Sequence, residues 1–447
     1  MHIDLKVIVR SNPIEITRNL TRDRSDYVVP EQESLQICKM ERMTYDSDSM
    51  NHCRLLMIGT LTWLLTGCQA MPGFMPPAPQ PVAPPTTFTV LTYNTLHGLE
   101  VSKLWVRQVE TDQQHRARFT LRIEQLATAQ PDVILLQEVN PLPTMAYDYV
   151  QALKQQGLDY AEVHQVDACG LRLSPGLAIL PGLNNGLVIL AKAPLTIRKL
   201  DGLKLSGPFG GCGDYAGVQF GELRYALLAE VTDPATGMTY LVATMHLHSG
   251  IERDAKVLHE LMEAHSQGHL QHYDQLMVEL KMDEHRRQME LHTLMDALQQ
   301  HQMRRHYAGV IFGGDLNFEV ESPEYRQLER AGFTDTAQIA AGMPMWNTYD
   351  PMNNPLAGHE EEALPPAFTE ALAQEMKMDQ DEAVTRYRHA IRMARRIDFL
   401  FSMTFMSNAC LTQELFGKPA KMGDPTSSDH YGVLNTYTYQ RKACSPH

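Results

Sequence analysis

Val310-Ile-Phe-Gly-Gly-Asp-Leu-Asn317 is a short apolar run that ends in two glycines, a carboxylate and an amide. Val310 to Phe312 reads as a buried strand. The glycines let the chain turn tightly and approach a ligand closely. At strand spacing Asp315 and Asn317 share a face. A carboxylate and an amide so placed can hold a metal ion and orient an attacking water. Five further segments set a polar residue at a strand boundary in the same way: Leu91-Thr-Tyr-Asn94, Leu136-Gln-Glu138, Thr244-Met-His-Leu247, Arg396-Ile-Asp398 and Ser428-Asp-His430.

Each boundary suits one part of a phosphoester reaction. Asn94 can hydrogen-bond a phosphate oxygen or orient a metal ligand. Glu138 follows four apolar residues and Gln137, and a carboxylate there is costly unless it is paired or bound to metal. Hard divalent cations prefer such oxygens, so Glu138 is read as the main ligand. His246 and His248 fall on one strand face, and either can contact a phosphoryl oxygen. An imidazole oriented by a buried carboxylate is a competent general base, and His430 pairs with Asp398 in that role. Asp429 is left for the metal or for ordering its loop. Together these segments indicate a divalent-metal phosphoesterase, with Mg²⁺ the expected ion and Mn²⁺ or Ca²⁺ as alternatives.

Outward from these motifs, strands are expected at Phe88–Tyr93, Val133–Leu136, Leu187–Ala191, Tyr225–Val231, Tyr240–Met245, Phe399–Phe401 and Val433–Tyr437. Helices are expected at His115–Ala129 and Pro143–Gln156. Strands alternating with helices imply α/β sheets covered by helices. Two stretches read as insertions: 252–301, rich in His and Met and mostly helical, and 360–395, acidic and then basic. Lying between chemical motifs, both are expected to project from the active face as lids or helical decorations.

The chain has 447 residues and a net charge of -14, a balance that disfavours a nucleic-acid footprint. Its one strongly apolar run, Leu55 to Leu65, is about half the length of a membrane-spanning helix. Arg54 precedes it and Leu65-Thr-Gly-Cys68 closes it, the pattern of a secretory signal. The ending resembles the lipobox of bacterial lipoproteins, with Cys68 lipidated. Residues 50–68 are thus read as a signal peptide, 1–49 as a mis-started or disordered extension, and 69–87 as a stiff Pro-rich linker. The folded domain is expected over 88–440. The location that follows is a membrane-anchored lipoprotein on the periplasmic or cell-surface side; Gln69 suits an outer membrane. Four of the seven cysteines remain: Cys169, Cys212, Cys410 and Cys444. An oxidising compartment permits two disulfides among them. Pairing 169–212 and 410–444 is the most local choice of three.

The motifs, in this order from about Phe88 to Tyr439, resemble those of the endonuclease/exonuclease/phosphatase superfamily, which includes DNase I and neutral sphingomyelinases. The resemblance implies a DNase I-like four-layer α/β sandwich, two packed, mostly antiparallel sheets flanked by helices, with the site at one end of the sheets. It implies Asn94 and Glu138 on the metal side, His246 on the phosphate, Asp315 with Asn317 as the Gly-Asp-x-Asn pair, Asp398 as the orienting carboxylate, and Asp429 with His430 as the terminal pair. Phe209–Gly217, with Ala216 in place of a Lys, Arg286-Arg-Gln288 and Thr348-Tyr-Asp-Pro-Met-Asn353 are similar to segments of the sphingomyelinase branch, and Asn185–Lys192 to one that this branch shares with several others. The implied substrate is a phospholipid head group. The alternatives are a secreted or periplasmic nuclease and a catalytically silent binding lipoprotein. A monomer is expected.

Overall fold

In this computed structural model the described residues are 87–439, apart from 102–105, 109, 169–170, 175–176, 180–183, 208, 214–216, 221, 251–272, 341–345, 358–393, 404–408 and 422. The expected extension 1–49, signal 50–68 with Cys68, linker to 86, residues 360–393 of the second insertion, Cys169 and Cys444 lie outside them. Cys212 and Cys410 are both disulfide-bonded.

Twelve strands build two sheets. The first contains β1 (Thr87–Asn94), β2 (Val133–Val139), β3 (Tyr160–Ala168) and β4 (Asn185–Lys192). The second contains β5 (Thr196–Ser206), β6 (Arg224–Thr232), β7 (Thr239–His246), β8 (Gly309–Asp315), β9 (Thr334–Asp335) and β10 (Asp398–Met403). The chain then returns to the first sheet as β11 (Ala409–Phe416) and β12 (Gly432–Tyr439). The orders are β11-β12-β1-β2-β4-β3 and β9-β10-β8-β7-β6-β5. Each sheet has a single parallel pair at its centre, β1 with β2 and β7 with β8; every other pairing is antiparallel.

Helices cover the outer faces: α1 (Asp112–Ala129) and α2 (Thr144–Gln155) on the first sheet, α3 (Tyr273–Arg304) and α4 (Pro323–Arg330) on the second. A short α5 (Thr336–Ile339) follows β9. Alternation along each central strand sends successive side chains to different layers. Val90, Leu135 and Ile311 pack between the sheets with Leu227 and Val242. Their neighbours Leu91 and Leu136 face Leu126 and Tyr149, while Phe312 faces Leu294 and Tyr325. Strands buried on both faces read as unbroken apolar runs, which is why these were visible in the sequence. The result is the expected four-layer sandwich.

Three expectations need correction. Residues 273–301 do not form a projecting decoration. Leu291, Leu294 and Leu298 lie along one stripe of α3 and are fully buried against the second sheet, so the helix is one of the four layers. Four strands escaped the pattern: β3, β5, β9 and β11. Gly313 and Gly314 lie inside β8 and make no turn. A Cβ at Gly314 would stand 1.8 Å from the Met245 carbonyl oxygen, and one at Gly313 would stand 2.6 Å from the Phe399 carbonyl oxygen. The glycines admit neighbouring strands rather than a ligand.

Phe312 is fully buried, stacks on Phe401 and meets Phe333 edge-on. Phe312→Ala is expected to lower unfolding free energy by about 3–5 kcal/mol. Urea denaturation followed by circular dichroism measures this; a loss below about 1 kcal/mol would contradict the packing described.

Candidate active site

The central parallel pairs bring strand ends to one edge of the sandwich. Asn94 ends β1 beside Gln137 of β2, so Glu138 follows at the same edge. In the second sheet His246 ends β7 opposite Asp315 of β8, and Asp315 lies opposite Asp398, the first residue of β10. His430 stands two residues before β12. The two sheets are joined beneath this edge, where buried Gln137 Nε2 donates to Thr92 at 3.1 Å and across the sandwich to Thr244 at 2.8 Å.

Seven of the expected site residues meet here. Asn94 Nδ2 donates to Glu138 Oε1 and to Asp315 Oδ2, each at 3.1 Å. His246 lies between the same carboxylates, with Nδ1 3.7 Å from Glu138 Oε1 and Nε2 3.6 Å from Asp315 Oδ2. His430 Nδ1 hydrogen-bonds Asp398 Oδ2 at 2.8 Å, and its Nε2 is 3.7 Å from Asp315 Oδ2. Asn317 accompanies Asp315 through its own backbone N–H, 3.1 Å from Asp315 Oδ1. Asn94, His246, Asp315, Asn317, Asp398 and His430 are buried, while Glu138 is half-buried. Asp429, also half-buried, adjoins His430 and raises its proton affinity.

Two spacing arguments fail in detail. Period two was expected to set both histidines on one face, but β7 ends at His246. His248 instead sits between Glu222 Oε2 at 2.6 Å and Asp283 Oδ1 at 3.0 Å. Asp315 and Asn317 share no strand face, because β8 ends at Asp315 and Asn317 takes a left-handed φ of 50°. The turn is fixed by Asn317 Nδ2, which donates to the Leu247 carbonyl at 3.1 Å.

The charge balance marks this edge as unusual. Burial pushes Asp315 up to about 8; Asp398 and Glu138 add to the rise, against His430 and Asn94. Burial also acts on Glu138, but His97, His246 and Asn94 outweigh it and hold this carboxyl well below the usual range. Burial, with Arg224 and His430 nearby, pushes His246 down to about 3, so its imidazole is neutral. His430 is the reverse: burial opposes its charge, yet Asp398, Asp429 and Asp315 raise its pKa well above the ordinary value.

This surplus of negative charge fits a divalent cation. Asp315, Asp398 and His430 place ligand atoms within 4.8 Å of one another, the one such cluster among the described residues. Asp398 Oδ1 is buried without a hydrogen-bond partner among them. Glu138, linked to Asp315 through Asn94, adds a further carboxylate beside this cluster, and carboxylate oxygens suit a hard ion. The short bond between His430 and Asp398 describes a proton-handling pair.

Several residues that support the site were not among the expected site residues. Arg118 and Arg122 project from α1. Arg118 Nη1 donates to the carbonyls of Thr95 and Ser427 at 2.9 and 3.1 Å, and Arg122 Nη2 to the same two at 2.7 and 2.6 Å. Their i, i+4 spacing beside the apolar stripe was the available signal. Thr348 Oγ1 accepts the N–H groups of Ile397 and Asp398 at 3.1 and 3.0 Å. The ring of Tyr349 lies 5.2 Å from that of His430. His97 was also overlooked; its backbone N–H donates to Glu138 Oε2 at 2.9 Å.

The model of the Endonuclease/Exonuclease/phosphatase family matches residues 91–430. No curated protein matches the chain. Among solved structures, truncated TDP2 of Caenorhabditis elegans is 16% identical, with 79% of this chain and 97% of that one covered and a TM-score of 0.46. An endonuclease/exonuclease/phosphatase of Bacteroides vulgatus is 13% identical, with 80% and 100% covered and a TM-score of 0.47. The mannosyl-6-phosphatase Bt3783 of Bacteroides thetaiotaomicron is 14% identical, with 79% and 100% covered and a TM-score of 0.43.

Arg122→Met removes two carbonyl contacts and is expected to cost about 3 kcal/mol of stability. Chemical denaturation checks it; an unchanged midpoint would show that the carbonyls do not depend on the guanidinium. His248 offers a pH test. Burial opposes its charge, but Asp283 and Glu222 raise its pKa above the ordinary 6.5. Its contribution is therefore fully present below pH 6.5 and lost as pH rises through the higher folded value. The stability gap between wild type and His248→Gln is expected to be widest below pH 6.5 and to narrow as pH rises above it, read by thermal melting. A gap that widens with pH would reverse the sign.

Proposed function

The chain belongs to the endonuclease/exonuclease/phosphatase family, and we propose that it is a divalent-metal-dependent phosphodiesterase. The observation that carries this reading is the Asp398–His430 hydrogen bond of 2.8 Å beside Asp315, which Asn94 links to Glu138. That arrangement sets a proton-accepting pair next to a carboxylate-rich metal side.

Glu138, with Asp315 and Asp429, would hold the ion, and Asn94 orients the first two. Mg²⁺ is the ion proposed. When bound, it supplies Lewis acidity to the scissile phosphate and offsets the negative charge that raises Asp315 and His430. Asp315 and Asn317 position the attacking water. Asp398 holds the His430 Nδ1 proton, which leaves Nε2 to accept the water proton. Neutral His246 donates a hydrogen bond to a non-bridging phosphoryl oxygen. The short hydrogen bonds among these groups hold the geometry before substrate arrives, so little reorganisation accompanies the reaction.

For substrate we favour a phospholipid head group, sphingomyelin-like, on a lipoprotein tethered through Cys68. Support comes from the signal-like Leu55–Cys68 and from the segment Thr348–Asn353, whose Tyr349 packs on His430. The net charge of -14 favours lipid over nucleic acid.

The test is hydrolysis of sphingomyelin vesicles, plasmid DNA and bis-p-nitrophenyl phosphate by the purified protein, with Mg²⁺ or with EDTA. Mg²⁺-dependent turnover is expected. Glu138→Gln and His430→Ala should each lose about 10²–10⁴-fold in kcat with the fold intact by circular dichroism. Release of phosphocholine supports the lipid assignment, whereas cleavage of DNA alone moves the protein to the nuclease reading. Full activity in EDTA, or in either variant, would overturn the mechanism.

A further inference from the structure

Three imidazoles flank the two carboxylates on the metal side, and their contacts run in sequence. His430 Nε2 faces Asp315 Oδ2 at 3.7 Å. His246 touches both carboxylates, at 3.6 and 3.7 Å. His97 Nε2 faces Glu138 Oε2 at 3.6 Å. His430 and His97 thus occupy the two ends of the row, with His246 between them. In-line displacement at phosphorus also has two ends, since the attacking and leaving oxygens lie on opposite sides.

His97 is placed with care for a loop residue. Its backbone N–H is fixed by Glu138, and its carbonyl accepts from Asn140 Nδ2 at 3.2 Å. The carbonyls of Thr95 and Leu96 are held by Arg118. Leu96 and Gly98, on either side, adopt left-handed φ values of 57° and 71°. The His97 side chain is 16% exposed, against 7% for His430, so solvent reaches the His97 end of the row more readily. The end of the row opposite His430, and so opposite the attacking water, is where the leaving oxygen stands in an in-line displacement.

We propose that His97 faces the leaving oxygen and donates a hydrogen bond to it from the imidazole, a role that rests on the phosphodiesterase reading. The attacking water forms the new P–O bond and gives one proton to His430. The opposite P–O bond breaks, and its electron pair goes to the leaving oxygen. The His97 N–H stabilises that developing charge, and the oxygen takes its proton from solvent on release. His97 therefore matters most when the leaving oxygen is strongly basic.

The test compares two phosphodiesters that differ only in leaving group, methyl p-nitrophenyl phosphate and a dialkyl phosphate, with wild type and His97→Ala at saturating Mg²⁺. His97→Ala is expected to slow alkoxide departure about 100-fold and p-nitrophenolate departure about ten times less. His246→Ala, the control, should slow both alike. Equal losses in His97→Ala, or no loss, would overturn the proposal, because a merely structural residue does not sort substrates by leaving-group basicity. If wild type hydrolysed neither ester, the phosphodiesterase reading itself would fall first. Thermal melting of His97→Ala, with His97→Gln as the milder variant, separates misfolding from lost chemistry.

Discussion

Two guanidinium groups on one helix hold the carbonyls of Thr95 and Ser427 side by side. Thr95 follows Asn94, and Ser427 precedes Ser428, Asp429 and His430, so both loops are tied at one point. The junction is buried, where a charged donor to a carbonyl is worth more than in water and costly to lose. Ser428 Oγ adds a bond to the Asn94 carbonyl at 2.7 Å. Glu110 accepts from Arg118 Nε at 2.7 Å and Nη2 at 2.6 Å, which compensates the guanidinium for its burial. The metal side and the proton-handling side are thus referred to a common anchor, although they come from opposite ends of the domain.

Sheet register adds the second level of placement. Asp315 is the partner of His246 on one side and of Asp398 on the other, so three of the site's groups are neighbours by backbone pairing alone. This needs the strands to pass close together, and Gly313 with Gly314 is what allows it. The cost is a crowd of carboxylates with too little positive charge, visible in the elevated Asp315 and His430. Such tension is characteristic of sites that await a cation or an anionic substrate.

The sequence made the middle of the fold legible and hid its margins. Every strand read correctly is buried on at least one full face by apolar side chains. The four that were overlooked, β3, β5, β9 and β11, are the four sheet edges. Edge strands are free to carry charge, as in Thr196–Ser206 with Arg198, Lys199, Asp201 and Lys204, and the periodic signal dissolves. At the site, residues at strand termini could be found because a polar group ending an apolar run is conspicuous. The i, i+4 spacing of Arg118 and Arg122 marks a shared helix face but not the carbonyls they hold, and His97 and Thr348 act from loops, where no such spacing applies. His248 shows the opposite failure: period two holds only while the strand lasts, and the strand stopped at His246.

The last strand closes beside the first. β12 pairs with β1 from Thr87 opposite Thr438 to Thr92 opposite Val433, and His430 arrives with it. Contacts so distant in sequence form late and slowly. A growing chain holding every residue through Asp398 still lacks His430, the imidazole that pairs with it. It also presents β1 as an open strand edge in the middle of what will be a sheet. The Asp398–His430 pair is therefore assembled only when β12 closes, and a chain clipped before His430 lacks it. The same arrangement exposes the incomplete chain to mispairing at β1, so assembly of the site and protection from aggregation are gained in a single closing step.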